Sequence, residues 1–363
     1  MALSLKKSEL SSLAENLFER NNLPNSRRVD ISLAGKPISI FFGSSELAQL
    51  LSPAISHLEC SLAGPAELNI FVCDSNTHPV LKWSPELSAQ DQLKLPSSPS
   101  HPVIYGKHEQ MQFAFQFAPS LLSIDLYDGV SRAVLWIDSC RQYISHVAES
   151  LCYPFRTIFA WFVADNTGCL IHASAIADER GGLAFSGTSG SGKSTCALIS
   201  ALSGKTFIGD DAVIISCKDS LSLYSPYCYA RVRPDELEHY PTLTASSSKI
   251  ANNHSSGLPG AEKLSFSMLT LGKSIGSKSA NFRAIVFPEV VNGLEKSKAV
   301  QISPAAALRR LAPSSLLHIP GYGQTALARL AQISCSVPCY HWQLGIRRQE
   351  IVDLVERVLG DYS

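Results

Sequence analysis

Gly187-Thr188-Ser189-Gly190-Ser191-Gly192-Lys193-Ser194-Thr195 is the segment from which the rest of this 363-residue chain is best approached. It satisfies the pattern GxxxxGK[ST], and its surroundings agree. An apolar run at 183–185 predicts a strand entering it, and 196–202 can propagate a helix out of it. Such a pattern serves the close approach of backbone to phosphate. Glycines let the chain wrap and turn successive N–H groups inward, while the helix N-terminus adds the positive end of its dipole. Lys193 then supplies a mobile cation for the terminal phosphates, and Ser194 a hydroxyl for Mg²⁺. A Ser-rich protein can match the string by chance, but chance does not also supply the strand before it and the helix after it. The segment points to nucleotide or polyphosphate binding and leaves the reaction open.

A reaction needs further groups. Asp210 and Asp211 follow the apolar run 206–208 and a permissive Gly209, one helix and one strand beyond the loop. In a parallel sheet that spacing sets them at the carboxyl end of the neighbouring strand, beside the phosphates. One carboxylate can hold Mg²⁺ while the other orients or deprotonates an acceptor hydroxyl, and at this level either assignment stands. Alone, an Asp-Asp pair reads as a solvated turn; the loop upstream reverses that reading. His172, in Ile171-His172-Ala173-Ser174-Ala175, lies on the strand expected at 169–176. Its small neighbours allow close approach of a ligand, and an imidazole there could hydrogen-bond a transferring phosphoryl group. It is equally readable as a satisfied core residue.

The chain carries 31 basic and 31 acidic residues, with 45% apolar and 17% charged side chains. That composition excludes a disordered or fibrous protein, and the zero net charge gives no electrostatic reason to expect nucleic acid or an anionic membrane as partner. The polar N-terminus has no apolar core of a signal peptide, and the densest apolar run, 158–164, is far short of the ~18 residues of a spanning helix. Ten cysteines include no CxxC pair, so they are expected to be reduced, small core residues of a cytoplasmic protein. Two modules are expected, a mixed α+β one over 1–140 and a catalytic one over 141–363, with the boundary near 138–141.

In the first module a helix is predicted over the first 25 residues, two short strands within 29–42 around Ala34-Gly35, and helical spacing over 45–58. A strand at 68–73 precedes a Pro/Ser-rich exposed excursion at 77–102. Met111, Phe113, Phe115 and Phe117 alternate at period two, and 124–127 pairs with 133–137 across Asp128-Gly129 as a hairpin. A helix over 143–163 should kink or split at Pro154. Later, 242–280 reads as a long mobile loop, 283–291 and 337–344 as strands, and 304–311, 325–333 and 348–359 as helices.

His172-Ala173-Ser174-Ala175, the glycine turn after it, the loop at 187–195 and Gly209-Asp210-Asp211-Ala212 together resemble the kinase domain of the HPr kinase/phosphorylase family, and more closely its diverse HPr kinase-like relatives. That family shares its nucleotide site with phosphoenolpyruvate carboxykinases. The resemblance covers about 169–216, with looser agreement at Arg231-Val232-Arg233-Pro234, Glu262-Lys263-Leu264, Phe287-Pro288-Glu289 and Val337-Pro338-Cys339-Tyr340; residues 1–140 lie outside it.

It implies an α/β P-loop kinase domain of the HPr kinase/phosphoenolpyruvate carboxykinase type that binds ATP and Mg²⁺. Ser194 and Asp210 would serve the metal, His172 would lie near the phosphate, and Asp211 or Asp210 would be the base that activates a serine-type hydroxyl. The arginine- and glycine-rich segment that bifunctional HPr kinases use is not found. The acceptor is therefore expected to be a hydroxyl on some other peptide, protein or small molecule, with Arg231, Arg233 and Lys263 proposed to bind it, and self-association is left open. Two alternatives remain: an ATPase coupling hydrolysis to movement, although no LSGGQ-like signature or hhhhDE strand is present, and a non-catalytic nucleotide-binding module.

Overall fold

Alternating burial makes the first strand. Val29, Ile31 and Leu33 are buried and Asp30 and Ser32 half-buried along β1 (Arg27–Leu33). β1 pairs antiparallel with β2 (Lys36–Phe42) across Ala34 and Gly35, both at positive φ, the two-residue turn whose twist suits a hairpin. The computed structural model describes residues 27–74, 103–108, 111–117, 120–127, 131–137, 152–166, 168–218, 220–243, 263–276, 279–317 and 319–360. Outside these fall the helix expected in the first 25 residues, the excursion at 77–102, the Asp128-Gly129 turn, the boundary at 138–141 and the start of the helix at 143–163.

Ser44 caps α1 (Ser45–Leu51), its hydroxyl accepting the Leu47 N–H at 3.2 Å, and Pro53 then tightens the chain into a 3-10 turn over Ser52–Leu58. β3 (Leu68–Asp74), β4 (Val103–His108), β5 (Met111–Phe117), β6 (Ser120–Tyr127) and β7 (Ser131–Ile137) complete a seven-stranded mixed sheet in the order β1-β2-β3-β7-β6-β5-β4. β3 runs parallel to both β2 and β7, and the remaining pairs are antiparallel. After Pro154, Phe155 sits at φ +62° and α2 (Arg156–Asp165) begins. The chain divides into two compact units, one within Met1–Phe162 together with Ile319–Gly321 and the other within Val163–His318 and Tyr322–Ser363.

The second unit is built on β8 (Gly168–Ile171), β9 (Ala173–Asp178), β10 (Gly181–Ser186), α3 (Lys193–Leu202), β11 (Thr206–Gly209), β12 (Val213–Ser216), β13 (Ser222–Tyr224), β14 (Tyr229–Val232) and β15 (Leu264–Ser267). It continues with β16 (Ala280–Val290), β17 (Lys298–Ile302), α4 (Pro304–Leu316), α5 (Gly323–Ser336), β18 (Cys339–Leu344) and α6 (Gln349–Gly360). One row of strands reads β11-β9-β10-β16-β18-β17, with β10, β16 and β18 mutually parallel. From β16 a second row continues through β13, β12 and β8, and β14 pairs with β15 separately. Cys196, Ala197 and Leu198 of α3 and Ile351, Leu354, Val355 and Val358 of α6 bury a common face with Phe185, Phe207 and Trp342 of the sheet.

Three expectations are corrected. The strand at 169–176 is two strands, since β8 joins β12 while β9 joins β10 and β11, and His172 occupies the bend between them. β11 is not the immediate parallel neighbour of the loop strand, because antiparallel β9 lies between. Within 242–280 the described residues are ordered: Leu264 and Phe266 alternate with serines and pair onto β14, and backbone bonds tie Phe207 to Ser274 and Gly276. The molecule is mixed α/β, and no helix among the described residues is long and apolar enough to cross a membrane. The described cysteines are all free thiols.

Candidate active site

β10 is buried along its whole length, and the chain leaves it at Gly187 to wrap the loop ahead of α3. Gly187, Gly190 and Gly192 all take positive φ. At Gly192 (φ +102°) a side chain would be strained, and its Cβ would also meet Leu344 Cδ1 at 3.1 Å. Thr188 and Ser189 are exposed at the tip. Lys193 is buried, and its Nζ donates to the carbonyls of Gly187 and Thr188, both at 2.9 Å. Burial lowers the pKa of this amine, opposed by the charges of Asp211 and Asp210. Ser191 Oγ is buried with no hydrogen-bond partner among the described residues, so the loop holds an unused donor beside its lysine.

The two aspartates sit where β11 ends. A Cβ on Gly209 would lie 2.6 Å from the Ala212 carbonyl, so only glycine lets the turn close this tightly. Asp211 adopts φ +59°, a left-handed conformation that an aspartate tolerates better than most residues. Asp210 is 1% exposed, and donors converge on it. Its Oδ1 accepts the Ser174 hydroxyl at 2.5 Å, the Ser194 hydroxyl at 2.8 Å and the Asp211 N–H at 3.1 Å. Its Oδ2 accepts the Arg231 N–H at 2.9 Å. Burial, then the neighbouring Asp211, raise its pKa.

Asp211, 7% exposed, faces nitrogen groups instead: His172 Nε2 at 3.4 Å from Oδ1 and Arg231 Nη1 at 3.5 Å from Oδ2. Burial pushes its carboxyl up, but the hydrogen bond from His172 and the charges of Lys263, His172 and Arg231 outweigh it and hold it far below the usual carboxylate range.

Residues far apart in sequence are thus brought together: Lys193, Ser194, both aspartates, His172, Arg231 and Lys263, the last acting electrostatically on Lys193 and on both acids. Arg233 points its guanidinium into an exposed fork with Asp235, at 2.8 and 3.0 Å. Ser174 is a site residue that the sequence reading passed over. Its position two residues beyond His172, among alanines, was the signal. His172 is anchored through its backbone, its N–H donating to Ser315 Oγ and its carbonyl accepting from Ser186 Oγ.

Ser194, Ser174 and Asp210 form an oxygen-only donor set, the chemistry that suits Mg²⁺. Among the described residues no cluster of three His, Cys, Asp or Glu side chains is arranged to hold a metal unaided, and Mg²⁺ bound through a substrate's phosphates needs only one or two protein ligands. No protein-family model matches this chain, and no curated protein matches it.

Proposed function

We propose that this protein is an HPr kinase-like phosphotransferase that moves the γ-phosphoryl group of ATP to the hydroxyl of a peptide, protein or small molecule. The observation that carries this reading is the contact between Ser194 and Asp210. The hydroxyl that follows the loop lysine donates to a buried carboxylate whose neighbour, Asp211, is held ionised a single residue away. A loop that merely resembled a phosphate cradle would have no reason to meet a buried acidic pair from another strand.

In this reading the loop amides and Ser191 Oγ receive the phosphates, and Lys193 Nζ leaves the Gly187 and Thr188 carbonyls for them. Ser194 and Asp210 would hold Mg²⁺, which would neutralise charge on the phosphate oxygens. Asp211 faces the acceptor. Its low pKa makes it a weak equilibrium base, which suits a loose transition state in which the hydroxyl is oriented first and its proton accepted late. His172 and Arg231 fix the Asp211 carboxylate, and Lys263 adds positive charge beside it. Partners of this kind are hydroxyl-bearing molecules of the cytoplasm, not nucleic acid or membrane.

Incubation with γ-labelled ATP, Mg²⁺ and candidate hydroxyl acceptors tests the proposal. Label should move to an acceptor, and Lys193→Ala should remove both transfer and nucleotide binding. Release of free phosphate alone would favour the ATPase alternative; retention of full nucleotide affinity by Lys193→Ala would defeat the phosphate assignment itself.

A further inference from the structure

The acids lie on the β9/β11 side of the loop, so a triphosphate whose far end reaches them must extend its other end the opposite way, over the tips of β16 and β18. What is found there is unlike a closed surface. Val290, the last residue of β16, is 55% exposed, although its Cγ2 would come within 3.5 Å of a side chain on Gly192. Ile346, two residues past the end of β18, is 75% exposed.

Arg348 enters α6 from the same connection. Its guanidinium carbon lies 5.1 Å from the centre of the Tyr240 ring, and its Nη1 is buried with no hydrogen-bond partner among the described residues. Tyr240 packs in the core beside α3, and its hydroxyl interacts with the side chains of Thr195, the last residue of the loop motif, and of Arg348, so that of the guanidinium it is Nη1 that is left without an acceptor among the described residues. A buried guanidinium nitrogen without an acceptor is costly unless something else supplies one.

We infer that Thr195, Tyr240, Arg348, Val290 and Ile346 form the subsite for the nucleoside end of the nucleotide, with Arg348 the residue that distinguishes a nucleotide from a bare polyphosphate. This extends the phosphotransferase reading and rests on it. The chemistry is complementary. A guanidinium plane stacks on an aromatic base and donates to its ring nitrogens or to ribose, while exposed aliphatic side chains cover an apolar base face at the cost of little ordering.

Calorimetric titration of the full chain with Mg·ATP and with Mg·tripolyphosphate separates the two levels. Arg348→Ala should weaken ATP by about tenfold or more and leave tripolyphosphate within about twofold, since the lost contact is one that only a nucleoside makes. Ile346→Ser, at a solvent-facing position that cannot endanger the fold, should weaken ATP alone by about threefold, and it decides the matter if Arg348→Ala does not fold. Equal losses for both ligands, or no loss for either, would overturn the subsite. Lys193→Ala should weaken both ligands; if it weakened neither, or if the unaltered protein bound neither, the phosphate reading would fail and the subsite with it.

Discussion

Asp210 and Asp211 are chemically identical neighbours whose pKa values are pushed in opposite directions. Asp211, with His172, Arg231 and Lys263 around it, has a folded pKa below its unfolded value near 3.9. Its charge therefore stabilises the fold above that unfolded value and ceases to do so as pH falls through the folded one. Asp210 is shifted the other way by burial and by Asp211, so its ionised form costs stability as pH rises. Because Asp211 is ionised at every pH of enzymatic interest, Asp211→Asn should lower phosphoryl transfer by about 10²–10⁴ without moving the acid limb of the pH profile, and leave ATP affinity within about threefold. Transfer rates from pH 5 to 9 and a nucleotide titration check this.

Ser174 acts on the other carboxylate: its hydrogen bond lowers the Asp210 pKa. Ser174→Ala should therefore raise the Asp210 pKa further and favour its protonated form as pH falls. Mg²⁺-dependent ATP binding should then fall more at pH 6 than at pH 8. An equal loss at both pH values would show that Ser174 only packs.

At the scale of elements, what the sequence disclosed depended on whether the signal was local. The hairpin of β1 and β2, the strand β5, and the spacing of Ile351, Leu354, Val355 and Val358 on α6 are each set by neighbours a few residues apart, and each element is observed where expected. The bend at His172 is not such a signal. A largely apolar run from Cys169 to Ile176, interrupted by His172 and Ser174, looks like one strand, and only the competition between β12 on one side and β10 with β11 on the other divides it. The same holds for β15, hidden in a serine-rich stretch until β14 supplies its partner.

The candidate site followed the same division. The loop at 187–195 and the acidic pair were legible as strings, whereas the contact of Ser174 with Asp210 spans 36 positions and is visible only in three dimensions. The turn at Gly209 belongs to both classes, since glycine there marks a sharp bend and the fold makes it obligatory. A methyl group 2.6 Å from the Ala212 carbonyl meets backbone, which cannot swing aside as a side chain could. Gly209→Ala should destabilise the protein by about 1–3 kcal/mol and, by displacing Asp210 and Asp211 together, reduce both Mg²⁺-dependent binding and transfer. A melt and an activity measurement on the same sample would reveal whether the two losses occur together, as the shared turn requires.

Across the second unit, a further cluster of charge ties distant segments together, separate in its partners from the candidate site. Asp178, at the end of β9, accepts from Arg180 Nη2 at 2.5 Å and from Lys205 Nζ at 2.7 Å, and both cations also reach Glu356 on α6, at 2.7 and 2.6 Å. The four groups bind the rim of the sheet, the exit of α3 and the last helix, segments separated by as many as 178 positions in the chain. Burial pushes the Asp178 carboxyl up, but the hydrogen bonds from Arg180 and Lys205 prevail and bring it down to about 2. A depressed folded pKa contributes stability that is complete above the unfolded value near 3.9 and vanishes as pH drops through about 2, so this network should weaken on acidification between pH 4 and pH 2. Because the cluster is partly open to solvent, screening reduces its contribution at neutral pH to about 1 kcal/mol, or roughly 2–4 °C of melting temperature in a unit of this size. Asp178→Asn should lower the melting temperature by that amount at pH 7 and by much less at pH 2. It should also leave nucleotide affinity untouched, since none of the four groups approaches the loop's lysine or the acidic pair. Thermal melts of the two proteins at pH 7, 4 and 2 give the measurement. A difference that persisted undiminished at pH 2 would mean that Asp178 stabilises by packing and hydrogen-bond geometry, and that its charge contributes nothing.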